Sequence, residues 1–403
     1  MKKGIKYFSL LLILLLVFKL NAQERCGFDQ IYKQLSENTS FKAYQSQMNL
    51  QNRSLPKNKS QTIIVIPTVV HVIYKNQDEN VSSAQIQSQL DILNDDFRKL
   101  NADTTNVEQG FSIADVGIEF CLARRDPSGN ETTGVTRTST TIDNVCDLSS
   151  TQYYQLAPIW NPDHYLNIWV CDINNGIAGY AFPPNQIARN RDGLVIQYNN
   201  FGDTGTVNSP YDQGRTATHE IGHWFNLFHP WGNGNIPSCG SDDEVIDTPN
   251  QGVIYNGCPS VPQFSCGSKD MLSNYMGYLD DRCMGNFTEG QKDRMRSTII
   301  TSRPDLLLSK GCLPVGLAEN TLANTIRVFP NPISNQFNIQ LLIGAPTIQS
   351  IELLNPSGKL VFRETKSVAN GYQIELEKLP DGLYFLRLKS NEAQVIKKLI
   401  IAH

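Results

Sequence analysis

Apolar residues are spread along this 403-residue chain in several distinct patterns. An unbroken run from Phe8 to Phe18 follows Met1-Lys2-Lys3 and ends near Asn21-Ala22, the charged, apolar, small order of a secretory signal peptide. No later stretch is apolar for long enough to cross a bilayer as a helix. The next region, Lys33 to Gln61, is polar and shows no core-like periodicity. Tyr165-Leu-Asn-Ile-Trp-Val-Cys171 has the aromatic and β-branched content of a strand. From about Asn320 onward the pattern changes to short apolar-rich runs at Ile351 to Leu354, Tyr372 to Leu376, Leu383 to Leu388 and Val395 to Ile401. Turns at Asn355-Pro-Ser-Gly358 and Pro380-Asp-Gly382 separate these runs, which predicts a small all-β sandwich.

The chemistry is concentrated in one window, His219-Glu220-Ile221-Gly222-His223-Trp224-Phe225-Asn226-Leu227-Phe228-His229. In a helix starting near Thr216, His219 and His223 stand four residues apart on one face, within reach of a single metal ion. Glu220 falls beside that face, free to handle a water. His229 would lie roughly 15 Å along the axis of a straight helix, so the chain must turn sharply near Asn226. Asparagine tolerates the positive φ of such a turn better than any residue but glycine. Three neutral imidazoles leave one zinc position open for water, whose pKa falls toward about 7 and whose proton Glu220 would take as general base. A bare HExxH also arises on ordinary amphipathic helices. Here, however, three of the chain's six histidines fall inside eleven residues.

A second element lies downstream. Asn274-Tyr275-Met276-Gly277-Tyr278 carries the methionine and, two residues on, the tyrosine of the Met-turn that accompanies extended zinc motifs. The Met276 thioether would pack beneath the metal without ligating it. Tyr278 would turn its hydroxyl toward the oxyanion of a tetrahedral intermediate. Ordinary core filling by Met276 and surface placement of Tyr278 are the alternatives.

Charge and cysteine content narrow the setting. The formal net charge is −4, and residues 1–22 hold four lysines and no acid, so the processed chain sits near −8. That disfavours nucleic acid as a partner. Nine cysteines in an exported chain read as disulfides plus one odd thiol. The odd one is assigned to Cys26, in Glu24-Arg25-Cys26-Gly27 just past the cleavage point; an ordinary disulfide or a lipid anchor are its other roles, although Gln23-Glu24-Arg25 is wrong for a lipobox. Four cysteines, Cys239, Cys258, Cys266 and Cys283, cluster after the zinc motif, while Cys121, Cys146, Cys171 and Cys312 cannot be paired from sequence. Between the clustered cysteines, Ser241 to Pro249 concentrates oxygen donors of the kind that bind calcium, or else forms an acidic surface loop. Arg53, Lys57 and Lys59 are candidate nicking points.

These motifs carry a family resemblance. His219 to Trp231, the Asp243 to Pro249 segment, Asn274 to Tyr278 and Phe287 to Met295 resemble the pappalysin (cytophagalysin) branch of the metzincin metalloproteases, over roughly residues 62 to 312. Ile66 to Val72 resembles the family's first strand and Ile86 to Arg98 its first long helix, and Pro230 argues against the astacin and adamalysin types. Asn226 departs from the usual glycine. The resemblance implies an α/β (α+β) catalytic domain with a twisted mixed sheet and a zinc-binding active-site helix. It also implies a cysteine switch, with Cys26 about 2.3 Å from the metal in the latent form. Disulfides Cys239–Cys266 and Cys258–Cys283 and a structural calcium on Asp243 and Thr248 follow from it in the same way. Gly176 to Ala181 resembles the upper rim of the family's cleft, where polypeptide substrate would pair as an added strand.

The C-terminal region resembles a different module. Val328-Phe329-Pro330-Asn331-Pro332, Gly382 to Arg387 and Lys397 to Ile400 are similar to the type IX secretion sorting domain, which implies delivery across the outer membrane by that machinery. A generic Ig-like or carbohydrate-binding module is the alternative. The organisation expected is therefore a signal peptide (1–22), a propeptide with the switch (23–61), a zinc metalloprotease domain (62–312), and a linker with sorting domain (313–403). The function expected is a secreted zinc endopeptidase made as a zymogen, using one catalytic zinc. A non-catalytic zinc-containing surface adhesin is the second class. Retention of Glu220, which holds no metal, favours the enzyme.

Overall fold

The computed structural model describes residues 25–54, 62–173, 176–184, 189–232, 236–315, 326–341, 347–368, 371–376, 379–390 and 394–403. The expected signal peptide, Lys57 and Lys59 lie outside the described residues. The chain divides into two compact units after Cys312.

The first unit begins with helices α1 (Phe28–Leu35) and α2 (Thr39–Ser54). This corrects the sequence reading of Lys33 to Gln61 as lacking periodicity. Phe41, Gln45 and Met48 are buried at helical spacing, but the polar middle member breaks the apolar stripe by which such a face is read. Then come β1 (Ile64–Tyr74), α3 (Ser83–Phe97), β2 (Ile118–Leu122), β3 (Val135–Ser139), the single turn α4 (Tyr153–Leu156), β4 (Leu166–Cys171), β5 (Gly179–Ala181) and β6 (Leu194–Gln197). After them follow α5 (Arg215–Trp224), the short hairpin β7 (Phe264–Ser265) and β8 (Ser268–Lys269), and α6 (Glu289–Ser302).

The sheet runs β2-β1-β4-β6-β5, with β3 also on β1. Every pairing is parallel except β5 on β6, which makes the sheet mixed and leaves β5 at its edge. All six residues of β4 are buried, as expected of a strand covered on both faces. Helix α3 starts at Ser82, whose side chain accepts the Gln85 N–H, and it buries Ile86, Leu90, Leu93 and Phe97. A capping box of Thr288 and Gln291 opens α6. Asp247 reinforces it by accepting from the Thr288 hydroxyl (2.7 Å) and the Gly290 N–H.

Residues 236–283 contain little regular structure and are braced by Cys239–Cys266 and Cys258–Cys283, the two pairings implied by the resemblance. Cys121–Cys312 and Cys146–Cys171 complete the set, and Cys26 is free and buried.

The second unit is all β. Strands β9 (Ile326–Phe329), β10 (Gln336–Leu341) and β13 (Gly371–Glu375) form one antiparallel sheet. Strands β11 (Ile348–Leu354), β12 (Leu360–Val368), β14 (Gly382–Lys389) and β15 (Gln394–Ile401) form another. Phe337 and Ile339 from one sheet share a core with Leu353, Leu386 and Leu399 from the other, the sandwich that the apolar runs predict.

Candidate metal centre

Helix α5 is buried along its whole length and brings His219 and His223 to one face. It ends as a Schellman motif: the Asn226 N–H bonds the His223 carbonyl (2.9 Å) and the Leu227 N–H bonds the Gly222 carbonyl (2.9 Å). Asn226 takes the left-handed conformation there, φ 68°. The turn redirects the chain so that His229 faces the two helix histidines.

The three Nε2 atoms lie 3.1, 3.1 and 3.3 Å apart. The opposite nitrogens fix what lies between them. His219 Nδ1 donates to the Tyr275 carbonyl (2.7 Å) and His223 Nδ1 to the Leu227 carbonyl (2.8 Å), while His229 Nδ1 meets Asp29 Oδ1 (3.0 Å). Those partners are acceptors, so each Nδ1 carries a ring hydrogen and Nε2 is the nitrogen turned toward the centre. Burial and the neighbouring histidines hold His219 and His223 well below the usual imidazole range, and hence neutral. Three imidazole nitrogens converging at this spacing form a cradle for a cation. Nitrogens about 2.0–2.1 Å from a tetrahedral zinc stand about 3.3 Å apart, so the set fits zinc. The Cys26 sulfur joins them: the four ligand atoms all lie within 4.8 Å of one another, the one such group among the described residues.

Glu220 lies beside this centre, fully buried, with its carboxyl next to the Cys26 thiol. Burial pushes its carboxyl up to about 8, against the pull of the adjacent Cys26 thiol and the Arg25 guanidinium. Burial and Glu220 in turn raise the Cys26 thiol well above its ordinary value. Two glycines permit the close packing. A Cβ on Gly222 would stand 2.4 Å from the Met276 sulfur, and one on Gly179 would stand 3.1 Å from the Glu220 side chain. Met276 therefore lies against α5 at Gly222. The Tyr278 ring lies 4.9 Å from His229 and 5.8 Å from His219, and its hydroxyl reaches the Cys26 carbonyl at 3.5 Å.

Sequence reasoning missed the surroundings of Cys26. Residues 25–27 run parallel to the edge strand β5, with Ala178 N–H bonded to the Arg25 carbonyl and Gly27 N–H to the Gly179 carbonyl, both 2.9 Å. Arg25 is 1% exposed. Its guanidinium bonds Asp281 (2.5 Å) and the Leu279 carbonyl and lies 4.5 Å from the Tyr211 ring. Asp281 is oriented in turn by the backbone N–H groups of Gln213 and Arg215. Phe28 stacks on His223, centroids 3.8 Å apart. No local signal marks Asp281 among 39 acidic residues; the one clue was the basic residue preceding Cys26.

The calcium candidates occupy one turn. Asp243 is 2% exposed, with Oδ1 accepting from Val245 N–H and Oδ2 buried without a partner. Burial drives its carboxyl well above the usual range. Thr248 donates its hydroxyl to the Val245 carbonyl (3.1 Å).

Comparison with known proteins bears on both units. Residues 150–300 match the family described as pregnancy-associated plasma protein-A, peptidase M43, and residues 327–402 match the secretion system C-terminal sorting domain. A Tannerella forsythia promirolysin mutant is 42% identical, with a TM-score of 0.63, over 71% of this chain and 97% of that one. Mature mirolysin from the same organism, in complex with a cleaved peptide, is 45% identical with a TM-score of 0.57, over 61% and 96%. Extracellular metalloprotease 1 of Coccidioides posadasii is 40% identical over 139 residues, 33% of this chain and 48% of that protein. The chain thus spans about half the length of the curated relatives it matches.

Proposed function

From a chain that belongs to the M43 (pappalysin-type) metzincin metallopeptidases and carries a C-terminal sorting domain, we propose a secreted zinc endopeptidase kept latent by its own N-terminal segment. The observation that carries this reading is the convergence of three outwardly tethered imidazole nitrogens and the Cys26 sulfur beside the buried Glu220 carboxyl. When bound, zinc supplies a Lewis acid that polarises the scissile carbonyl and lowers the pKa of a water toward about 7.

The remaining steps belong to the chain. Glu220 takes the proton of the attacking water and delivers it to the leaving amine. Its place beside the three histidines, buried and not among the metal-ligand atoms, suits a group that accepts and returns a proton. Tyr278, released from the Cys26 carbonyl, donates its hydroxyl to the developing oxyanion. Ala178 N–H and the Gly179 carbonyl, used by residues 25–27 in the latent chain, bind the substrate backbone as an added strand. Asp281 then receives a side chain flanking the scissile bond. Because Arg25 fills that acidic pocket one residue from Cys26, the substrate is a polypeptide with arginine or lysine next to the cleaved bond.

Latency has the same origin. Cys26 fills the fourth ligand position and residues 25–27 fill the cleft, so catalysis needs residues 23–61 to leave. A calcium ion held by Asp243 and Thr248 would satisfy the orphaned Asp243 oxygen. Export follows the sorting domain: signal-directed entry to the periplasm, type IX passage across the outer membrane, and removal of the module. Polypeptides are the substrates, and no helix among the described residues is long and apolar enough to span a membrane.

The test uses the matured chain on paired peptides with Arg, Lys, Leu or Glu on either side of one bond, with and without a zinc chelator. Cleavage next to Arg or Lys, abolished by chelation and restored by zinc, is the expected result. A chain that holds zinc but cleaves none of the peptides, nor casein, would be the zinc-containing adhesin instead.

A further inference from the structure

An imidazole aims one nitrogen at a metal only as firmly as its other nitrogen is held. Here the three outer partners differ in kind and in origin. His219 and His223 donate to the carbonyls of Tyr275 and Leu227, neutral acceptors within the domain itself. His229 donates to a carboxylate, Asp29, which lies in α1 and is 5% exposed. The turn that aims His229 leans on the same segment, since Gln45 of α2 donates to the Asn226 side-chain oxygen at 3.0 Å. The ring of the third ligand and the turn beneath it are therefore both held by residues 25–54.

We infer that Asp29 is a positioning residue for His229, so that the latency segment builds up the zinc site as well as blocking it. The inference rests on the reading of His219, His223 and His229 as zinc ligands. A carboxylate on the outer nitrogen raises the basicity of the inner one and fixes the ring plane. Release of the segment then costs the site the Cys26 ligand, the partner of His229, the Gln45 contact to the turn and the Phe28 ring on His223. The latent chain loads and keeps zinc more tightly than Cys26 alone accounts for. In the mature chain His229 is the least restrained ligand and the first to yield to a chelator.

The experiment uses the full pro-chain in a Glu220→Ala background, which prevents self-processing. Zinc affinity is measured by competition with a chromogenic chelator for the parent, Asp29→Ala, Asp29→Asn, Cys26→Ala and the double variant of Asp29→Ala with Cys26→Ala. Asp29→Ala should weaken zinc binding about 10–100-fold, with or without Cys26. Asp29→Asn, which keeps an uncharged acceptor, should fall between. The visible absorption of the cobalt-substituted chain should change with Asp29→Ala even where Cys26 is already alanine. Metal-free melting separates a lost partner from an undocked segment: the metal-free melting temperature of Asp29→Ala should stay within about 2 °C of the parent while its zinc-induced rise shrinks. Less than about a twofold change in affinity, against the range above, or an equal fall in melting with and without zinc, overturns the inference while leaving the zinc site standing. A parent chain that binds no zinc overturns both.

Discussion

The metal centre has two halves that are built differently. His219 and His223 sit on one helix, four residues apart, and their outer nitrogens are held by backbone carbonyls. His229 stands beyond a left-handed turn, and Asp29 and Gln45 hold it and its turn from about 200 residues away. Helical geometry sets the spacing of the first half, and the Tyr275 carbonyl and the Phe28 ring complete it. The second depends on one left-handed residue and on long-range contacts, and part of that support comes from the N-terminal segment that maturation is proposed to remove. On the proposed reading of the N-terminal segment as a latency segment, regulation would act there.

The largest effect expected from breaking this contrast concerns the pocket that the latent segment fills. Asp281→Asn should cut the preference for arginine over leucine beside the scissile bond by about 10²–10⁴-fold, the scale of losing a buried charge partner at about 3–5 kcal/mol. Paired-peptide kcat/KM values check it, and an unchanged ratio would detach the Arg25 contact from substrate choice. Next comes the turn. Asn226→Val forces a β-branched residue to φ 68°, and with His229 misplaced should lower kcat/KM by about 10-fold to 100-fold, from about 1–3 kcal/mol of strain. Asn226→Gly should stay within about threefold of wild type, glycine carrying no such strain. Equal damage from both would mean that side-chain bonding, rather than backbone conformation, governs the turn.

Smaller effects follow from the latent side. Cys26→Ala should raise spontaneous activity and self-processing of the pro-chain by about tenfold, since Arg25, Phe28 and Asp29 still hold the segment after one ligand is lost. No gain in either would remove the switch. Calcium-specific chelation should lower the melting temperature of the mature chain by a few degrees, about 1 kcal/mol of linked stability, and speed self-digestion. No change in either would leave Asp243 an ordinary buried acid.

Legibility in the sequence followed the same division. His219, Glu220 and His223 are fixed by helical period, and Asn226 was marked as the turn because no straight helix delivers His229. The strands at Leu166–Cys171 and through the C-terminal unit announce themselves by runs of apolar and β-branched residues. Helix α2 does not, because buried Gln45 interrupts its stripe with a polar residue whose partner is Asn226. Asp281 and Asp29 were illegible for a related reason. Each matters through contacts far away in sequence, Asp29 with His229 across 200 residues and Asp281 with Arg25 across 256, and nothing in the local sequence distinguishes such an acid from a solvated one. Cys121 and Cys312, 191 residues apart, show the same limit for disulfides.

The most direct test of the central claim is casein digestion by the matured chain and by its Glu220→Ala variant, with zinc content measured in both. The account predicts equal zinc, because Glu220 is not a ligand, and a loss of proteolysis of about 10²–10⁴-fold, the range for removing a general base. Equal proteolysis from the two chains at equal zinc would contradict it.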